Sequence, residues 1–138
     1  MKIDRQGLLK TAKLAKQMAY APYSGYKVGA ALLDRDGKVW QGCNIENAAY
    51  GCTICAERTA LVKAISEGVK DFVAIAVVGG EKGPAEPCGQ CRQTLVEFNP
   101  ELEVILEGEG GEPVSHRLSE MLPWYFSPKR LEGGNDGR

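Results

Sequence analysis

The sequence has little that would attach the chain to a membrane or to a nucleic acid. No apolar run approaches the length of a membrane span, and the N-terminus lacks the uninterrupted apolar core of a signal peptide. The 17 basic and 18 acidic residues nearly cancel, leaving a formal net charge of −1. Backbone phosphates are bound by a clustered Lys and Arg excess, so we expect neither nucleic acid nor membrane as a partner. We predict a cytoplasmic protein that binds a small molecule.

Histidine is scarce as well, since the chain has only His116. The number of cysteines, five, is odd, so they cannot all pair in disulfides within one chain. Four of the cysteines form two C-x-x-C pairs, Cys52 with Cys55 and Cys88 with Cys91. This pattern favours metal binding or redox chemistry in a reducing compartment over a disulfide framework. His116 lies in a polar segment, and we predict a surface or capping residue there and not a ligand.

The length of 138 residues suits one domain, which we place at 1–130, with a disordered, Gly-rich polar tail at 131–138. Strands alternating with helices predict a layered α/β fold. The predicted elements are a helix over 4–20 closed by Pro22, a hairpin over 28–44 turning at Asp36-Gly37, a helix from Thr53 or Ile54 to Gly68, a strand over 71–80, a helix after 88 that Pro100 ends, a strand over 102–108, and a short helix from Ser115 to Leu122 with Ser115 as its N-cap.

Glu57 falls on the apolar side of its predicted helix. Its neighbours at +4, +7 and +8 are Leu61, Ala64 and Ile65, which form the stripe that faces the core. A carboxylate aligned with such a stripe is costly unless it is paired, protonated or close to a metal ion. A first-turn Glu stabilised by the helix dipole is the structural alternative. The cysteines beside Glu57 favour a functional role.

The cysteine pairs allow more than one site. Cys55, Cys88 and Cys91 are predicted near helix starts, where the dipole stabilises thiolates. Two C-x-x-C pairs are common in closed four-cysteine zinc sites, whereas a catalytic zinc keeps its fourth position open for water. In the closed site Cys52 would be the fourth zinc ligand. In the open site the fourth ligand would be water, and Glu57 would transfer its proton. A dithiol–disulfide pair of Cys52 and Cys55 is a third possibility that leaves Glu57 unexplained.

A ligand-x-Glu element followed by P-C-x-x-C is the pattern of zinc deaminases, here with Cys in place of His as the first ligand. Longer segments agree with it: PYSGYKVGAALL and GCNIENAAYGCTICAER within 22–58, PCGQCRQ at 87–93, and LPWYF at 122–126. With these segments the chain resembles the small homotetrameric cytidine deaminases up to about residue 126. The resemblance implies a three-layer α/β/α sandwich around a mixed five-stranded sheet.

The resemblance also implies roles for single residues. One zinc ion per subunit would be held by Cys55, Cys88 and Cys91, with Glu57 as the proton shuttle. The assembly would be a homotetramer whose active sites are shared between subunits. Asn44 and Glu46 would bind the ribose hydroxyls. The backbone at Ala56, Tyr26 (often Phe in the family) and Phe126 of a neighbouring subunit would contact the base. Arg58 would donate to the ligand sulfurs, and Gln93 would support Arg58.

The residue chemistry at Asn44 and Glu46 agrees with the sugar role. The two residues are two positions apart, so on an extended segment both side chains project to one face. A carboxylate accepts hydrogen bonds from hydroxyl groups, and an amide adds both a donor and an acceptor. A polar strand end or an Asx turn is the structural alternative for such a pair.

The implied reaction is hydrolytic deamination of cytidine and deoxycytidine to uridine and deoxyuridine in pyrimidine salvage. Zinc-bound hydroxide would attack the 4-position carbon, and Glu57 would transfer the protons. One alternative is a deaminase of a modified cytosine nucleoside such as blasticidin S, and polynucleotide deaminases are disfavoured by the balanced charge. The alternative outside enzymes is a structural four-cysteine zinc module.

Overall fold

The computed structural model describes residues 1–131, and a mixed five-stranded sheet forms its centre. The elements in chain order are α1 (Arg5–Lys16), β1 (Val28–Asp34), β2 (Val39–Cys43), a 3-10 turn (Tyr50–Cys52), α2 (Ala56–Ser66), β3 (Phe72–Gly79), α3 (Gly89–Val96), β4 (Glu103–Glu107), β5 (Pro113–Arg117), α4 (Leu118–Met121) and a 3-10 turn (Pro128–Arg130). Of the predicted disordered tail, only Leu131 is described; residues 132–138 lie outside the described range. No helix within 1–131 is long and apolar enough to cross a membrane.

The inner strands β1 and β3 are covered on both faces, which explains their almost unbroken burial. Leu32 and Ile75 pack in the cluster that includes the apolar residues of α2 and α3. Ala31 and Ala76 pack in a second cluster, with the buried side chains of α1. The predicted three-layer α/β/α sandwich around a mixed five-stranded sheet is therefore confirmed.

The strand directions bring the starts of α2 and α3 to the same end of the sheet. The order is β2-β1-β3-β4-β5, and only β3 and β4 pair in parallel. Because β1 is antiparallel to both β2 and β3, strands β2, β3 and β4 all run the same way. Helix α2 connects β2 to β3, and α3 connects β3 to β4. Each helix runs back along the sheet and therefore begins near the carboxyl ends of these strands.

Gly42 on β2 lets α2 lie directly against the sheet. A Cβ atom at this position would lie 2.4 Å from the Ala56 carbonyl oxygen and 2.5 Å from the Ala60 backbone nitrogen. Distances under 3 Å to backbone atoms leave no room for a side chain, so the first turn of α2 is seated on a glycine. The position of this first turn matters because Cys55 and Glu57 flank Ala56.

Two predicted helix boundaries are wrong, because extended pairing competes with the helix at each place. Helix α1 ends at Lys16 and not near Pro22, since the Tyr20 backbone pairs with the Asn44 carbonyl at 3.0 Å. Helix α2 begins at Ala56 and not at Thr53 or Ile54. Ile54 instead exchanges two backbone hydrogen bonds with Ile45, of 2.9 and 3.0 Å.

The predicted helix from Ser115 is also corrected. Ser115 lies within β5, and the short helix α4 begins after it, with Arg117 as N-cap. Strand β5 is the sheet edge, and its residues from Val114 to Arg117 are exposed. An edge strand exposed on both faces has no alternation of apolar and polar residues, so the pattern that identifies strands is missing here.

We predict that Gly42→Ala lowers the free energy of unfolding by about 1–3 kcal/mol, the usual cost of overpacking. The matched control is Gly51→Ala, because a Cβ atom there would meet nothing within 4 Å. We expect the control to change the free energy by at most about 0.5 kcal/mol. Urea unfolding of both variants measures the difference, and equal midpoints would contradict the close contact of α2 with β2.

Candidate active site

Three cysteine sulfurs meet where α2 and α3 begin. The Sγ atoms of Cys55, Cys88 and Cys91 all lie within 4.8 Å of one another. Cys55 is the N-cap of α2 and Cys88 the N-cap of α3, and neither side chain makes a capping hydrogen bond. Cys91 lies in the first turn of α3 and is fully buried. The thiol groups therefore face one another at the positive ends of two helix dipoles.

The cluster is arranged to hold negative charge. A hydrogen bond from Cys91 is the main reason that the pKa of Cys55 falls to about 5, and Arg58 contributes while burial opposes the shift. The Nη2 atom of Arg58 lies 3.7 Å from the Cys55 sulfur. The same Cys55–Cys91 hydrogen bond, together with burial, raises the pKa of Cys91 above its usual value. The two thiols therefore titrate as a pair, in which the hydrogen bond favours ionisation of Cys55 over that of Cys91.

These residues fit a zinc ion. Thiolates are preferred zinc ligands, and tetrahedral geometry with Zn–S bonds of about 2.3 Å needs sulfurs about 3.8 Å apart. The separations of up to 4.8 Å require only a small contraction. The buried Arg58 Nε atom has no hydrogen-bond partner among the described residues, and an ionised sulfur cluster would supply an acceptor. Within residues 1–131, this is the one group of three or more candidate metal ligands.

Cys52 lies apart from this group. It is exposed, in the 3-10 turn Tyr50–Cys52, whereas the clustered sulfurs lie at the helix starts. The structure therefore brings together three of the four cysteines in the C-x-x-C pairs. This arrangement supports a site with three protein ligands and gives no support to the closed four-cysteine module.

Glu57 is buried beside the sulfurs, in the first turn of α2. Only 4% of its surface is exposed, which agrees with the position predicted from the apolar stripe. Burial raises the pKa of Glu57 to about 7, and the Cys55 thiolate adds to the shift. A carboxyl group with a pKa in this range can both take up and release a proton near neutral pH.

A cleft of about 300 Å³ opens beside the cysteines and Glu57. Its size is at the lower end of the range for small-molecule sites. Seven of the residues predicted for the site line this cleft. The complete lining is Ser24, Tyr26, Val28, Asn44, Glu46, Thr53, Cys55, Ala56, Glu57, Val77, Ala85, Glu86 and Cys88.

Glu46 is held in place by the loop that precedes β1. Its carboxylate accepts hydrogen bonds from the backbone nitrogens of Tyr23 and Ser24, at 2.9 and 3.1 Å, and from the Ser24 hydroxyl. These donors, the hydroxyl first, hold the pKa of Glu46 below its usual value. The side chain is therefore an ionised acceptor with a fixed orientation on the cleft wall.

Asn44 is fixed in the same way by backbone groups. Its Oδ1 accepts from the Val28 nitrogen at 2.9 Å, and its Nδ2 donates to the Tyr26 carbonyl at 2.8 Å. One amide hydrogen and one acceptor lone pair remain for a ligand. Asn44 therefore serves as a strand-end residue and still lines the cleft.

Of the other predicted site residues, two line the cleft and three do not. Ala56 and Tyr26 line it, and the Tyr26 ring packs against Gly79, which ends β3, and against Gly80. Arg58 contacts the Cys55 sulfur. Phe126 is 54% exposed and is not part of the cleft lining. Gln93 donates to the Phe126 carbonyl at 2.9 Å, so its amide is engaged with the C-terminal segment and not with Arg58.

Ser24 contributes to the cleft wall although the sequence did not single it out. It lies within the quoted PYSGYKVGAALL segment, and its hydroxyl both donates to Glu46 and accepts from the Tyr26 nitrogen at 3.0 Å. No periodic pattern relates Ser24 to Glu46, because the two residues are 22 positions apart and lie on segments that pair at Tyr20 and Ile45. Val28, Thr53, Val77, Ala85 and Glu86 also line the cleft and were not predicted for the site.

Comparisons with known proteins agree with this geometry. Residues 2–107 match the family model described as the cytidine and deoxycytidylate deaminase zinc-binding region. A cytidine deaminase of Halalkalibacterium halodurans is 53% identical over 94% of this chain and 98% of the relative, and one of Sporosarcina psychrophila is 47% identical over 94% and 96%. The crystal structure of cytidine deaminase from Burkholderia pseudomallei is 49% identical and superimposes with a TM-score of 0.85, covering 90% of this chain and all of that one.

We predict that Cys52→Ser keeps a full complement of zinc, whereas Cys88→Ser loses most of it. Cys52 is exposed and outside the sulfur cluster, while Cys88 supplies one of its three sulfurs. Zinc per chain, measured by atomic emission after gel filtration, distinguishes the two variants. Loss of zinc from Cys52→Ser would favour the closed four-cysteine site.

Proposed function

The chain belongs to the cytidine and deoxycytidylate deaminase family, and from this premise we propose that it hydrolyses cytidine and deoxycytidine to uridine and deoxyuridine in pyrimidine salvage. The observation that carries the proposal is the buried Glu57 beside three clustered thiols, at one side of a cleft that also presents Asn44 and Glu46. We propose that the reaction takes place in the cytoplasm, on a free nucleoside.

One zinc ion per subunit would be held by Cys55, Cys88 and Cys91. Zinc with three protein ligands and an open fourth position lowers the pKa of a water molecule there and so supplies a nucleophile near neutral pH. Three thiolates would give the centre a net charge of −1 and would weaken it as a Lewis acid. The cation of Arg58 and the two helix starts draw off part of that charge.

Glu57 would move the protons of the reaction. It takes a proton from the attacking water and delivers it to the ring nitrogen next to the reacting carbon, while the water oxygen bonds to that carbon. The second water proton goes by way of Glu57 to the amino group, which leaves as ammonia when its bond to carbon breaks. The burial and raised pKa of Glu57 support both acceptance and release.

Asn44 and Glu46 would bind the sugar. A carboxylate has about four lone-pair sites, and three are occupied by Tyr23 and Ser24 donors. Glu46 can therefore accept from a sugar hydroxyl, to which the remaining amide hydrogen of Asn44 can donate. The backbone at Ala56 and the ring of Tyr26 would contact the base. A base-binding role for Phe126 requires a neighbouring subunit, since it lies outside its own cleft lining.

The exposed aromatic residues near the C-terminus support assembly into a homotetramer with shared active sites. Trp124 is 99% exposed and has a φ of 59°, the left-handed region that non-glycine residues rarely adopt. Phe126 follows two residues later and is also exposed. Exposed aromatics held in a fixed backbone are typical of interfaces, where they gain most from burial. The mass in solution tests this assembly, and a monomer would contradict it.

A deaminase of a modified cytosine nucleoside such as blasticidin S would use the same metal and proton chemistry. The fixed pair of Asn44 and Glu46 favours an unmodified sugar with free hydroxyls. A polynucleotide substrate is disfavoured because the net charge is −1, without the basic surplus that phosphate binding uses.

We predict that Glu57→Ala keeps its zinc but lowers kcat for cytidine by about 100- to 10,000-fold or more, the usual contribution of general acid–base catalysis. The ultraviolet change on conversion of cytidine to uridine measures the rate. Glu67→Ala, at the exposed end of the same helix, is the control and should remain close to the parent protein. Near-normal turnover in Glu57→Ala would exclude the proposed proton shuttle.

We predict that Glu46→Gln lowers kcat/KM for cytidine by about 10- to 100-fold, matching the loss of a charge-assisted hydrogen bond. The free base cytosine is the control substrate, because it has no sugar hydroxyl for Glu46 to bind. Its kcat/KM should stay within about threefold of the parent value. An equal loss of kcat/KM with both substrates would show that Glu46 does not act on the sugar.

A separate assay of the parent protein tests the alternative substrate. Faster turnover of blasticidin S than of cytidine would favour the modified nucleoside.

A further inference from the structure

Cys88 is the least enclosed of the three clustered cysteines. It is exposed, whereas Cys55 is half-buried and Cys91 is completely buried. Its side chain makes no capping hydrogen bond at the start of α3. The packing of neighbouring side chains therefore does little to place the Cys88 sulfur, and its position depends on the backbone around it.

Arg92 holds that backbone from two sides. Its own backbone nitrogen donates to the Cys88 carbonyl at 3.0 Å, which is the ordinary first i to i−4 bond of α3 and does not depend on the side chain. Its side-chain Nε donates to the carbonyl of Pro87, the residue before Cys88, at 2.7 Å. The two carbonyls that flank the start of α3 are thus bound by the same residue.

The guanidinium group is itself anchored at a distant point of the fold. Its Nη1 donates at 2.7 Å to the carbonyl of Met121, the last residue of α4. Arginine presents several donors in a rigid plane, so one group can bridge two carbonyls whose relative position is then fixed. Lysine has a single charged nitrogen on a flexible chain and lacks this planar fork.

We propose that Arg92 is a positioning residue for the zinc site, which fixes Cys88 by bridging the Pro87 and Met121 carbonyls. The proposal rests on the zinc ligation proposed above but not on the identity of the substrate. Arg92 acts through the backbone of a ligand, in contrast to Arg58, which contacts a ligand sulfur directly. Residues that orient metal ligands typically contribute 10- to 100-fold to metal affinity.

The test compares zinc release from Arg92→Met, which removes the donors and keeps much of the aliphatic volume, with release from Lys16→Met. Lys16 is the matched control because its ammonium donates at 2.5 Å to the Gly80 carbonyl, at the other end of the loop that leads to Cys88. Each variant loses a hydrogen bond to a backbone carbonyl at one end of the same loop. Only the bond of Arg92 is made to a residue next to Cys88. Zinc transfer to a chromophoric chelator gives the rate, and thermal unfolding gives the stability.

We expect zinc release from Arg92→Met to be about 10- to 100-fold faster than from the parent protein. Zinc release from Lys16→Met should stay within about twofold of the parent rate. We expect this even if the unfolding temperature of Lys16→Met falls as much as that of Arg92→Met. Release at the parent rate from Arg92→Met, or equal acceleration in both variants, would overturn the proposal, because general loosening of the loop would then explain the data.

Arg92→Lys covers the case in which the Met variant does not fold. It keeps the positive charge but not the planar bridge, and we expect its release rate to exceed that of the parent protein and of Lys16→Met. A parent-like rate in Arg92→Lys would contradict the bridging role. Since no substrate is used, a zinc-loaded parent protein that fails to deaminate cytidine would refute the proposed activity alone, whereas a parent protein without zinc would refute the metal site.

Discussion

Mutual repulsion of thiolates is the constraint on which this structure depends. Three ionised sulfurs within 4.8 Å of one another would repel unless positive charge compensated them. The chain supplies that compensation from the starts of α2 and α3 and from Arg58, and zinc would supply the rest. Without the metal, the sulfurs share protons, which explains why the pKa values of Cys55 and Cys91 move in opposite directions.

The topology makes this compensation possible. Helices α2 and α3 both connect strands that run in one direction. The positive N-terminal ends of the two helices therefore meet at the carboxyl ends of those strands. Gly42 then lets the first turn of α2 approach β2 without a side chain between them. As a result, Cys55 and Glu57 are set by a rigid helix start and not by a flexible loop. The raised pKa of Glu57 is a consequence of the same burial.

The parts of the site that could be predicted from sequence are those encoded by local spacing. Glu57 follows the apolar stripe of its own helix, and the cysteines fall near helix starts, so their patterns were informative. Contacts between residues far apart in the sequence leave no such pattern, as the bonds of Ser24 to Glu46 and of Gln93 to Phe126 illustrate. The missed strand β5 has the same explanation, since it is an exposed edge strand held by pairing with β4.

Helix α3 connects the clustered cysteines to the C-terminal segment. Cys91 is followed directly by Arg92 and Gln93, which donate to the carbonyls of Met121 and Phe126. The helix that places two sulfurs therefore also fixes the backbone that presents Trp124 and Phe126 to solvent. If Phe126 completes the cleft of a neighbouring subunit, a shift of α3 in one subunit would displace an aromatic wall in another. Metal binding and subunit assembly would then be coupled through a single short helix.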